Sequence, residues 1–450
     1  MPHANPRRSA FDVLLRIDRE RSFADILIDR ELSLGGLKGP DRGLFTELVY
    51  GVLRRQGTLD HVIGRCSSQR IERLERGVLL LLRLGLYQIF FLDRVPVSAA
   101  VNETVKLAHA LAPRASGFIN AVLRRGDRER ESIPYPDRDS DPTGYIAARY
   151  SVPAWIAENW IGQLGADEAE SLARAMLDPP PLTIRVNTLK ASREDVISRL
   201  ATEGVTVRPG SYSPFALHLT GAHHPPSLAG FGEGLFTVQD ESSQVAAMLL
   251  DPRPGHRVLD LCAAPGGKTT HLAQLMENRG TILATDTAPR KLERIRETAA
   301  RLGIDIITTA PLNAAQKLSP LEGTEFDRIL VDAPCSGLGV LRRNPEGKWW
   351  KTARNVAELA AIQKDILLNG ARFLAPGGVL LYATCSTTRE ENEAVIDDFL
   401  SQNPGFMLED VREQYPEWQD IFTEKGCFRS WPHRHGMDGF FAARLRRANP

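Results

Sequence analysis

The chain has 450 residues, of which 42% are hydrophobic and 25% are charged, a composition typical of folded globular proteins. It excludes a collagen-like, coiled-coil or wholly disordered chain, and the length suffices for roughly three domains of ~150 residues. Lys plus Arg and Asp plus Glu both number 56, so the formal net charge is zero. Residues 1–130 are nevertheless basic, with 22 Lys and Arg against 15 Asp and Glu. That excess is expected of a segment that meets a polyanion, although solvated basic helices would show it too.

The sequence predicts neither a membrane span nor an export signal. The most apolar run, Val78–Leu92, is interrupted by Arg83 and Gln88 and is too short to cross a bilayer. No apolar segment follows the Arg7-Arg8 pair, as a twin-arginine signal would require. The five cysteines are widely spaced without a Cys-x-x-Cys pair, which predicts neither a disulfide framework nor a zinc site. We therefore expect a cytoplasmic protein.

Three regions with different sequence patterns precede residue 237. Residues 1–130 carry helical periodicity, and the run Val78–Leu92, apolar almost all round, predicts the central buried helix of an all-α domain. Residues 131–143 are rich in proline and aspartate and are the predicted linker. Residues 144–236 alternate between helical patterns, as in Trp155–Met176, and short strands, as in Leu182–Val186. This alternation predicts a small α+β subdomain.

Residues 237–450 are predicted to form an open, doubly wound α/β domain. Short apolar strands ending in turns alternate here with helical stretches such as Pro289–Leu302 and Val356–Leu374. In such sheets ligands bind beyond the carboxyl ends of the strands, so the chemistry is expected there. The predicted strands are Arg257–Leu261, Thr281–Ala284, Arg328–Val331 and Val379–Tyr382.

The turn after the first of these strands favours a ligand with a nucleoside part. Small residues between Cys262 and Lys268 let the backbone approach a ligand at a helix N-terminus. The turn is not a P-loop, because Cys262 stands where glycine is required, and it lacks the Gly-x-Gly-x-x-Gly fingerprint. Asp286 ends the second strand, where an acidic residue binds ribose hydroxyls. Either feature alone also fits a plain strand–helix corner or a capping aspartate; together they indicate a nucleoside-containing cofactor.

Two cysteines are predicted to meet at the same edge of the sheet. Cys335 follows one strand, three residues after Asp332, and Cys385 follows the next strand, 50 residues later. That spacing suits one intervening helix and places both thiols beyond adjacent strand ends. The other cysteines, Cys66, Cys262 and Cys427, are interpreted as small, buried apolar side chains.

Three motifs carry a family resemblance: Ala-Pro-Gly-Gly-Lys-Thr at residues 264–269, Asp-Ala-Pro-Cys-Ser-Gly at 332–337 and Thr-Cys-Ser at 384–386. Together they resemble the cysteine-dependent RNA cytosine-5 methyltransferases. Nearly the whole chain resembles the Fmu/Sun (RsmB-type) small-subunit rRNA methyltransferases, which carry a NusB-like N-terminal domain. Further segments share this resemblance, at residues 41–54, 84–88, 120–124, 185–187, 238–244, 343–346, 391–392 and 438–441.

The resemblance implies a fold for each region. Residues 237–450 would form an α/β Rossmann-like S-adenosylmethionine methyltransferase domain. It would be preceded by an all-α NusB-like RNA-binding domain at 1–130, a linker at 131–143 and a small α+β subdomain at 144–236. We expect Arg54, Arg55, Arg124 and Arg125 of the first domain to contact RNA phosphates.

The implied reaction transfers a methyl group from S-adenosylmethionine to carbon 5 of one cytosine in 16S rRNA. Carbon 5 is a poor nucleophile, so a thiolate must first add to carbon 6. By the resemblance, Cys385 is the nucleophile. Cys335 helps to remove the carbon 5 proton and to expel the enzyme, and Asp332 hydrogen-bonds the N3/N4 edge. The base has to leave its stack to reach Cys385.

The resemblance also implies the cofactor contacts. The turn would surround the methionine end, Asp286 would bind the ribose, and Arg290 would brace that loop. Residues 306–313 contain no acidic residue where the family carries one near the adenine, and we expect Asn313 to replace it by hydrogen bonding. The implied cofactor-binding residues are Cys262, Ala263, Ala264, Pro265, Gly266, Gly267, Lys268, Asp286, Arg290, Asn313 and Asp332.

Several alternatives stay open at this point. The same chemistry could act on tRNA or large-subunit rRNA, and a chain without catalytic activity could be an RNA-binding ribosome assembly factor. A DNA cytosine methyltransferase would leave the second cysteine motif unexplained, and the glycine pattern disfavours a nicotinamide dehydrogenase. We expect small-subunit rRNA as partner, no DNA, no membrane and no metal, and a monomer.

Overall fold

The computed structural model describes residues 5–221 and 225–449. The chain divides into two compact units, one of residues 1–179 with 341–351 and the other of residues 180–340 with 352–450. The domain boundaries predicted from the sequence divide the chain differently and stay predictions. Among the described residues, no helix is long and apolar enough to cross a membrane.

The first unit is built from helices, which confirms the all-α prediction for the N-terminal region. Its central helix, Arg76–Phe91, is buried over most of its length, as the apolar run predicts. Arg83 is tolerated inside it because its guanidinium donates two hydrogen bonds of 2.7 Å to the Asp60 carboxylate. The helices before residue 180 are α1 Pro6–Glu20, α2 Ala24–Ser33, α3 Pro40–Cys66, α4 Arg76–Phe91, α5 Val97–Leu111, α6 Ser116–Arg128, α7 Pro142–Tyr150, α8 Ala154–Leu164 and α9 Ala166–Ala175.

A short downstream segment, residues 341–351, completes the first unit. The Glu346 carboxylate accepts a hydrogen bond of 2.9 Å from the backbone N–H of Ala24, the first residue of α2. The Lys348 ammonium donates one of 3.0 Å to the carbonyl oxygen of Arg54 in α3. Nothing in the local sequence pattern predicts this packing, because it joins residues roughly 300 positions apart.

The second unit begins with a small antiparallel sheet in the strand order β2-β3-β1-β4. Strand β1 has the predicted bounds. Helix α10 begins at a capping box in which the Ser192 and Asp195 side chains bond to each other's backbone N–H. The elements are β1 Leu182–Val186, α10 Arg193–Ala201, β2 Thr206–Pro209, β3 Ala216–Thr220, β4 Phe236–Val238 and α11 Glu241–Leu249.

The remainder of this unit forms a larger, mostly parallel sheet in the order β10-β12-β9-β8-β5-β6-β7, with β11 paired to β12. Strands β5 to β9 pair in parallel, whereas β10, β11 and β12 are antiparallel. The elements are β5 Arg257–Leu261, α12 Gly267–Leu275, β6 Thr281–Asp286, α13 Pro289–Leu302, β7 Ile307–Pro311, β8 Phe326–Asp332, α14 Gly347–Trp350 (in the first unit), α15 Ala353–Ala371, β9 Leu374–Thr384, α16 Glu393–Gln402, β10 Phe406–Leu408, β11 Phe428–Ser430, α17 Pro432–His435 and β12 Phe440–Arg447.

The sheet carries a separate apolar layer on each face. Val258 of β5 packs with Leu272 of α12 on one face, while Leu259 and Leu261 pack with Leu367 of α15 on the other. Alternate side chains of a strand point to opposite faces, so a strand buried on both sides is apolar almost throughout. The predicted α/β fold class is confirmed. From β5 the chain continues to β6 on one side, and from β8 it continues to β9 on the other side. In such sheets ligands bind in the crevice beyond the carboxyl ends of the two strands where the direction reverses, which here are β5 and β8.

Candidate functional site

The turns after β5, β8 and β9 meet at the carboxyl edge of the large sheet. Lys268, at the start of α12, forms an ion pair of 2.9 Å with Asp332 at the end of β8. Burial disfavours the Lys268 ammonium, but the charge of Asp332 and its hydrogen bond outweigh this effect and raise the pKa of Lys268. The Lys268 nitrogen also lies 4.8 Å from the ring centroid of Phe440 in β12. The charged pair therefore joins helix α12 to the end of β8, beside β12, at the predicted ligand edge.

The turn after β5 brings the backbone close to where a ligand would sit. Gly266 has a φ of +99°, and a Cβ there would lie 3.0 Å from Ile295 of α13, so the position requires glycine. Helix α12 begins at the next residue, Gly267, where a Cβ would find its nearest neighbour 3.9 Å away. The turn thus presents open space beside the free N–H groups of a helix N-terminus, which suits the carboxylate of an amino-acid-like ligand.

Arg185 of β1 supports this turn from below, a contact that the sequence analysis missed. Its fully buried guanidinium donates a hydrogen bond of 2.7 Å to the carbonyl oxygen of Gly267 and another to the Thr270 hydroxyl. It also bonds to the side chains of Gln239 and Gln274. Burial, followed by the charge of Arg301, lowers the pKa of Arg185 to about 9. The small sheet therefore contributes directly to the shape of the turn.

Asp260 lies at the end of β5, beneath the turn, and is completely buried. One carboxyl oxygen accepts a hydrogen bond of 2.6 Å from the Thr269 hydroxyl, and the other has no partner among the described residues. Burial raises the pKa of Asp260 to about 7, while the bond from Thr269 opposes this shift. A carboxyl with such a pKa changes its charge within the physiological range.

The predicted ribose and adenine residues lie at the ends of the next two strands. Asp286 ends β6, and one of its oxygens accepts a hydrogen bond of 3.0 Å from the backbone N–H of Ala288. Asn313 follows β7, is exposed, and caps the N–H of Ala315 with its side-chain oxygen at 3.1 Å. Arg290 is exposed and forms no hydrogen bond or ion pair with any described residue. The cofactor roles of all three stay predictions.

Cys335 and Cys385 lie side by side, as expected of adjacent strand ends. Their sulfur atoms are 3.2 Å apart, and both side chains are partly exposed. The bond with the Cys385 thiol, then burial, then the charges of Cys385 and Glu391 raise the pKa of Cys335 well above its usual range. Of the other cysteines, Cys66 and Cys427 are buried, as interpreted from the sequence.

Cys262 differs from that interpretation because it is partly exposed. It sits in the turn with a φ of +61°, and this left-handed backbone departs from the conformation of the preceding strand. Burial raises the pKa of its thiol to about 12. Cys262 is thus a protonated, partly exposed residue of the turn that also packs against the apolar layer formed by Leu259 and Leu261.

Backbone contacts fix the loops that carry the two cysteines. The N–H of Ala333 donates to the carbonyl oxygen of Ala383, and the N–H of Gly339 donates to that of Cys385, both at 2.9 Å. A Cβ on Gly339 would overlap the carbonyl oxygen of Gly439. Glycine is therefore required at residue 339 by close approach of another backbone.

Among the described residues there is no cluster of His, Cys, Asp and Glu that could hold a metal ion. The S-adenosylmethionine implied by the sequence resemblance fits the observed donors. The open helix N-terminus at Gly267 suits its carboxylate, and Asp286 has a second oxygen for a ribose hydroxyl. The charge of Cys385 acts on Lys268, and the two thiols and the Lys268–Asp332 pair follow the same strand ends.

Family models match three parts of the chain. Residues 247–446 match the model described as 16S rRNA methyltransferase RsmB/F. Residues 4–128 match the NusB family, and residues 152–224 match the ferredoxin-like domain of RsmF/B-like methyltransferases.

Similar proteins cover nearly the whole chain. A Bacillus subtilis (strain 168) protein named "Probable ribosomal RNA small subunit methyltransferase B" is 36% identical over 99% of this chain and 100% of its own length. The crystal structure of PH0851 is 32% identical with a TM-score of 0.83, covering 99% of both chains. That of NSun6 from Pyrococcus horikoshii with SFG, an S-adenosylmethionine analogue, is 26% identical with a TM-score of 0.60, covering 66% of this chain and 99% of its own. The chain therefore belongs to the RsmB/F family of 16S rRNA methyltransferases, which use S-adenosylmethionine and here carry a NusB-like helical region ahead of the methyltransferase fold.

Proposed function

We propose that this enzyme methylates carbon 5 of one cytosine in small-subunit rRNA, in the cytoplasm, through a covalent bond between Cys385 and carbon 6. The observation that carries the proposal is the 3.2 Å separation of the Cys335 and Cys385 sulfur atoms beside the Lys268–Asp332 pair. Two adjacent thiols at the carboxyl edge of the sheet can act in turn on the same base, one as the nucleophile and the other as the base that removes a proton. S-adenosylmethionine, when bound, supplies the electrophilic methyl group.

Cys385 begins the reaction by adding its sulfur to carbon 6, which makes carbon 5 nucleophilic enough to take the methyl group. Carbon 5 then carries both the methyl group and its original proton. After Cys385 is bound to carbon 6, Cys335 releases its own thiol proton to solvent and, as a thiolate, takes up the C5 proton. The electrons of the C5–H bond restore the C5–C6 double bond, and the Cys385–C6 bond breaks to release the thiolate. Atoms and charge balance: Cys385 is again a thiolate, Cys335 is again a thiol, and one proton has gone to solvent.

The electrostatics of the pair fit this order of events. The first cause of the raised pKa of Cys335 is its hydrogen bond with Cys385, and the charge of Cys385 also contributes. When Cys385 bonds to carbon 6 it loses that charge, and both effects disappear. Cys335 is therefore held as a thiol during the attack and loses its proton more readily once Cys385 is bound, while its burial and the Glu391 charge still raise its pKa.

Asp332 is placed to hold the base during both steps. One of its oxygens pairs with Lys268, and the other has no hydrogen bond to a described residue. That oxygen can accept a hydrogen bond from the exocyclic amine of cytosine. Uracil offers no donor at this position, so the contact would favour cytosine.

The helical unit offers cations for RNA phosphates in a cleft of about 720 Å³. Arg55 lies 4.6 Å from the ring centroid of Phe91, and Arg149 lies 4.9 Å from that of Tyr135. Neither guanidinium forms a hydrogen bond or ion pair with a described residue, so both can bind a phosphate. Arg54, also predicted to contact RNA, instead donates to a carbonyl oxygen within the unit.

Transfer of radiolabelled methyl groups to naked small-subunit rRNA, with the product mapped by bisulfite sequencing, tests the proposed reaction. We expect one cytosine to be modified by the wild-type enzyme and by Cys427→Ala, a control at another free cysteine of the same unit. Cys385→Ala should lower the rate at least 1,000-fold. The double variant Arg55→Gln/Arg149→Gln should raise the KM for RNA at least fivefold and leave cofactor affinity unchanged.

Two outcomes would contradict the proposal. Label at tRNA or large-subunit rRNA alone would mean a different substrate. Absence of label from every RNA, including small-subunit precursor particles, would favour an assembly factor without catalytic activity.

A further inference from the structure

The carboxylate of Glu391 is fully buried between the two cysteine loops. Its Oε1 accepts hydrogen bonds from the backbone N–H of Ser336 at 2.7 Å and from the Gln363 amide at 3.0 Å. Its Oε2 accepts from the hydroxyls of Ser336 and Ser386, both at 2.5 Å, and of Thr388 at 3.0 Å. Five donors thus converge on one negative charge, without an ion pair to any described residue.

Two of these partners follow the two cysteines directly in the chain. Ser336 comes after Cys335 and Ser386 comes after Cys385, and the two hydroxyl oxygens are 3.1 Å apart. A carboxylate can accept several hydrogen bonds at once, whereas a neutral amide would turn a donor toward some of these hydroxyls. Glu391 is therefore the acceptor through which both loops are joined.

The position of Glu391 is itself fixed. The Tyr382 hydroxyl donates a hydrogen bond of 2.6 Å to the Glu391 carbonyl oxygen. The Gln363 amide that reaches the carboxylate also donates to the carbonyl oxygen of Pro334, just before Cys335. A buried charge is tolerated when hydrogen bonds replace its hydration. Movement of the Glu391 carboxylate away from its five donors would leave a buried charge without hydrogen bonds. The carboxylate is therefore held in place.

We propose that Glu391 is a positioning residue that sets the spacing of Cys335 and Cys385 by holding the serine beside each cysteine. The inference rests on the roles proposed for the two thiols. It assigns Ser386 to the placement of the attacking sulfur and Ser336 to the placement of the base that releases the product. The Glu391 charge also contributes, after the effects of Cys385 and burial, to holding Cys335 as a thiol before the attack.

The two serines provide a test that separates positioning from general stabilisation. With small-subunit rRNA and S-adenosylmethionine, Ser386→Ala should slow formation of the covalent protein–RNA adduct at least tenfold. Ser336→Ala should form the adduct at near wild-type rate and release it at least tenfold more slowly, so the adduct accumulates. Quench-flow sampling followed by denaturing electrophoresis of labelled RNA measures both rates.

Replacement of the carboxylate itself should impair both steps. Glu391→Gln is expected to lower kcat at least 100-fold while the dissociation constant of S-adenosylhomocysteine stays within threefold, because Glu391 bonds to no residue of the turn at 262–268. Glu390→Gln, at the exposed neighbouring carboxylate, is the matched control and should behave as wild type. Circular dichroism confirms that each variant is folded, and if Glu391→Gln is not, the two serine variants decide.

Opposite effects of the two serine substitutions on adduct level would support the inference. Equal losses of both rates in the two variants, or wild-type rates in both, would overturn it. Failure of the proposed reaction is distinguishable, because Cys335→Ala and Cys385→Ala would then show the same adduct level as each other.

Discussion

Asp260 is a fully buried carboxyl whose charged form is disfavoured in the folded protein. It lies under the cofactor turn, and the charges of Asp332, Lys268 and Asp286 act on it in addition to its burial. Its pKa of about 7 is above the usual value of 3.8. Between these values the folded protein holds a proton that the unfolded chain releases. The stability that Asp260 contributes is therefore complete below about pH 4 and is lost as the pH rises through 7.

Asp260→Asn should remove this loss of stability at higher pH. The unfolding free energy of the variant minus that of the wild type should increase from pH 4 to pH 8, by about 1.4 kcal/mol per unit of pKa shift. Urea denaturation of the full-length protein at several pH values measures it. Asp305→Asn, at an exposed carboxylate of the same unit, is the control. A variant–wild-type difference that stays constant across this range would contradict the account.

Residues of the site differ in how far the sequence could reveal them. Cys335, Cys385, Asp332 and Lys268 were predicted to share one edge because they follow parallel strands, and they do lie together. Arg185 was recognised only as part of a shared segment. Its function as a support depends on contacts 82 to 89 positions away, and no local periodicity encodes such contacts.

At the scale of elements, the sequence predicted the bounds of a strand or helix well where a single local signal, such as an apolar run, defined it. Strand β5 and helix α13 have the predicted bounds, since apolar runs and a Pro-to-Gly helix frame define them. The stretch Trp155–Met176 is two helices because Gly165, with a φ of +81°, ends the first. Strand β12 was not predicted, because an antiparallel strand that joins the edge of a parallel sheet has no distinguishing pattern of its own.

Gly339, in the loop after β8, lies against the backbone just after β9 and just before β12. Its replacement tests whether this close approach is needed for activity. Gly339→Ala should push the loop away from the carbonyl oxygens of Gly439 and Cys385, which a Cβ would contact. We expect methyl transfer to fall at least 100-fold while S-adenosylhomocysteine affinity, measured by calorimetry, changes less than threefold. Gly405→Ala, where a Cβ meets nothing within 4 Å, should be neutral. Full activity of Gly339→Ala would refute the required close approach.

At the scale of the whole molecule, the fold class and the all-α N-terminal region were predictable, but the return of residues 341–351 to the helical unit was not. That segment follows the Cys335 loop in the chain and contributes Glu346 and Lys348 to contacts with α2 and α3. Burial, then the charges of Arg55 and Arg54, lowers the pKa of Lys348 to about 7. Matches to the family models lie in both units.

In the proposed reaction, two adjacent cysteines divide the work between them: Cys385 attacks the base and Cys335 releases the product. The most direct measurement is the amount of covalent protein–RNA adduct that survives denaturing electrophoresis after incubation with small-subunit rRNA and S-adenosylmethionine. Cys335→Ala is predicted to accumulate adduct in near-stoichiometric amount, because attack proceeds and release does not, whereas Cys385→Ala forms none. Equal adduct levels in the two variants, or adduct in Cys385→Ala, would contradict this division of roles.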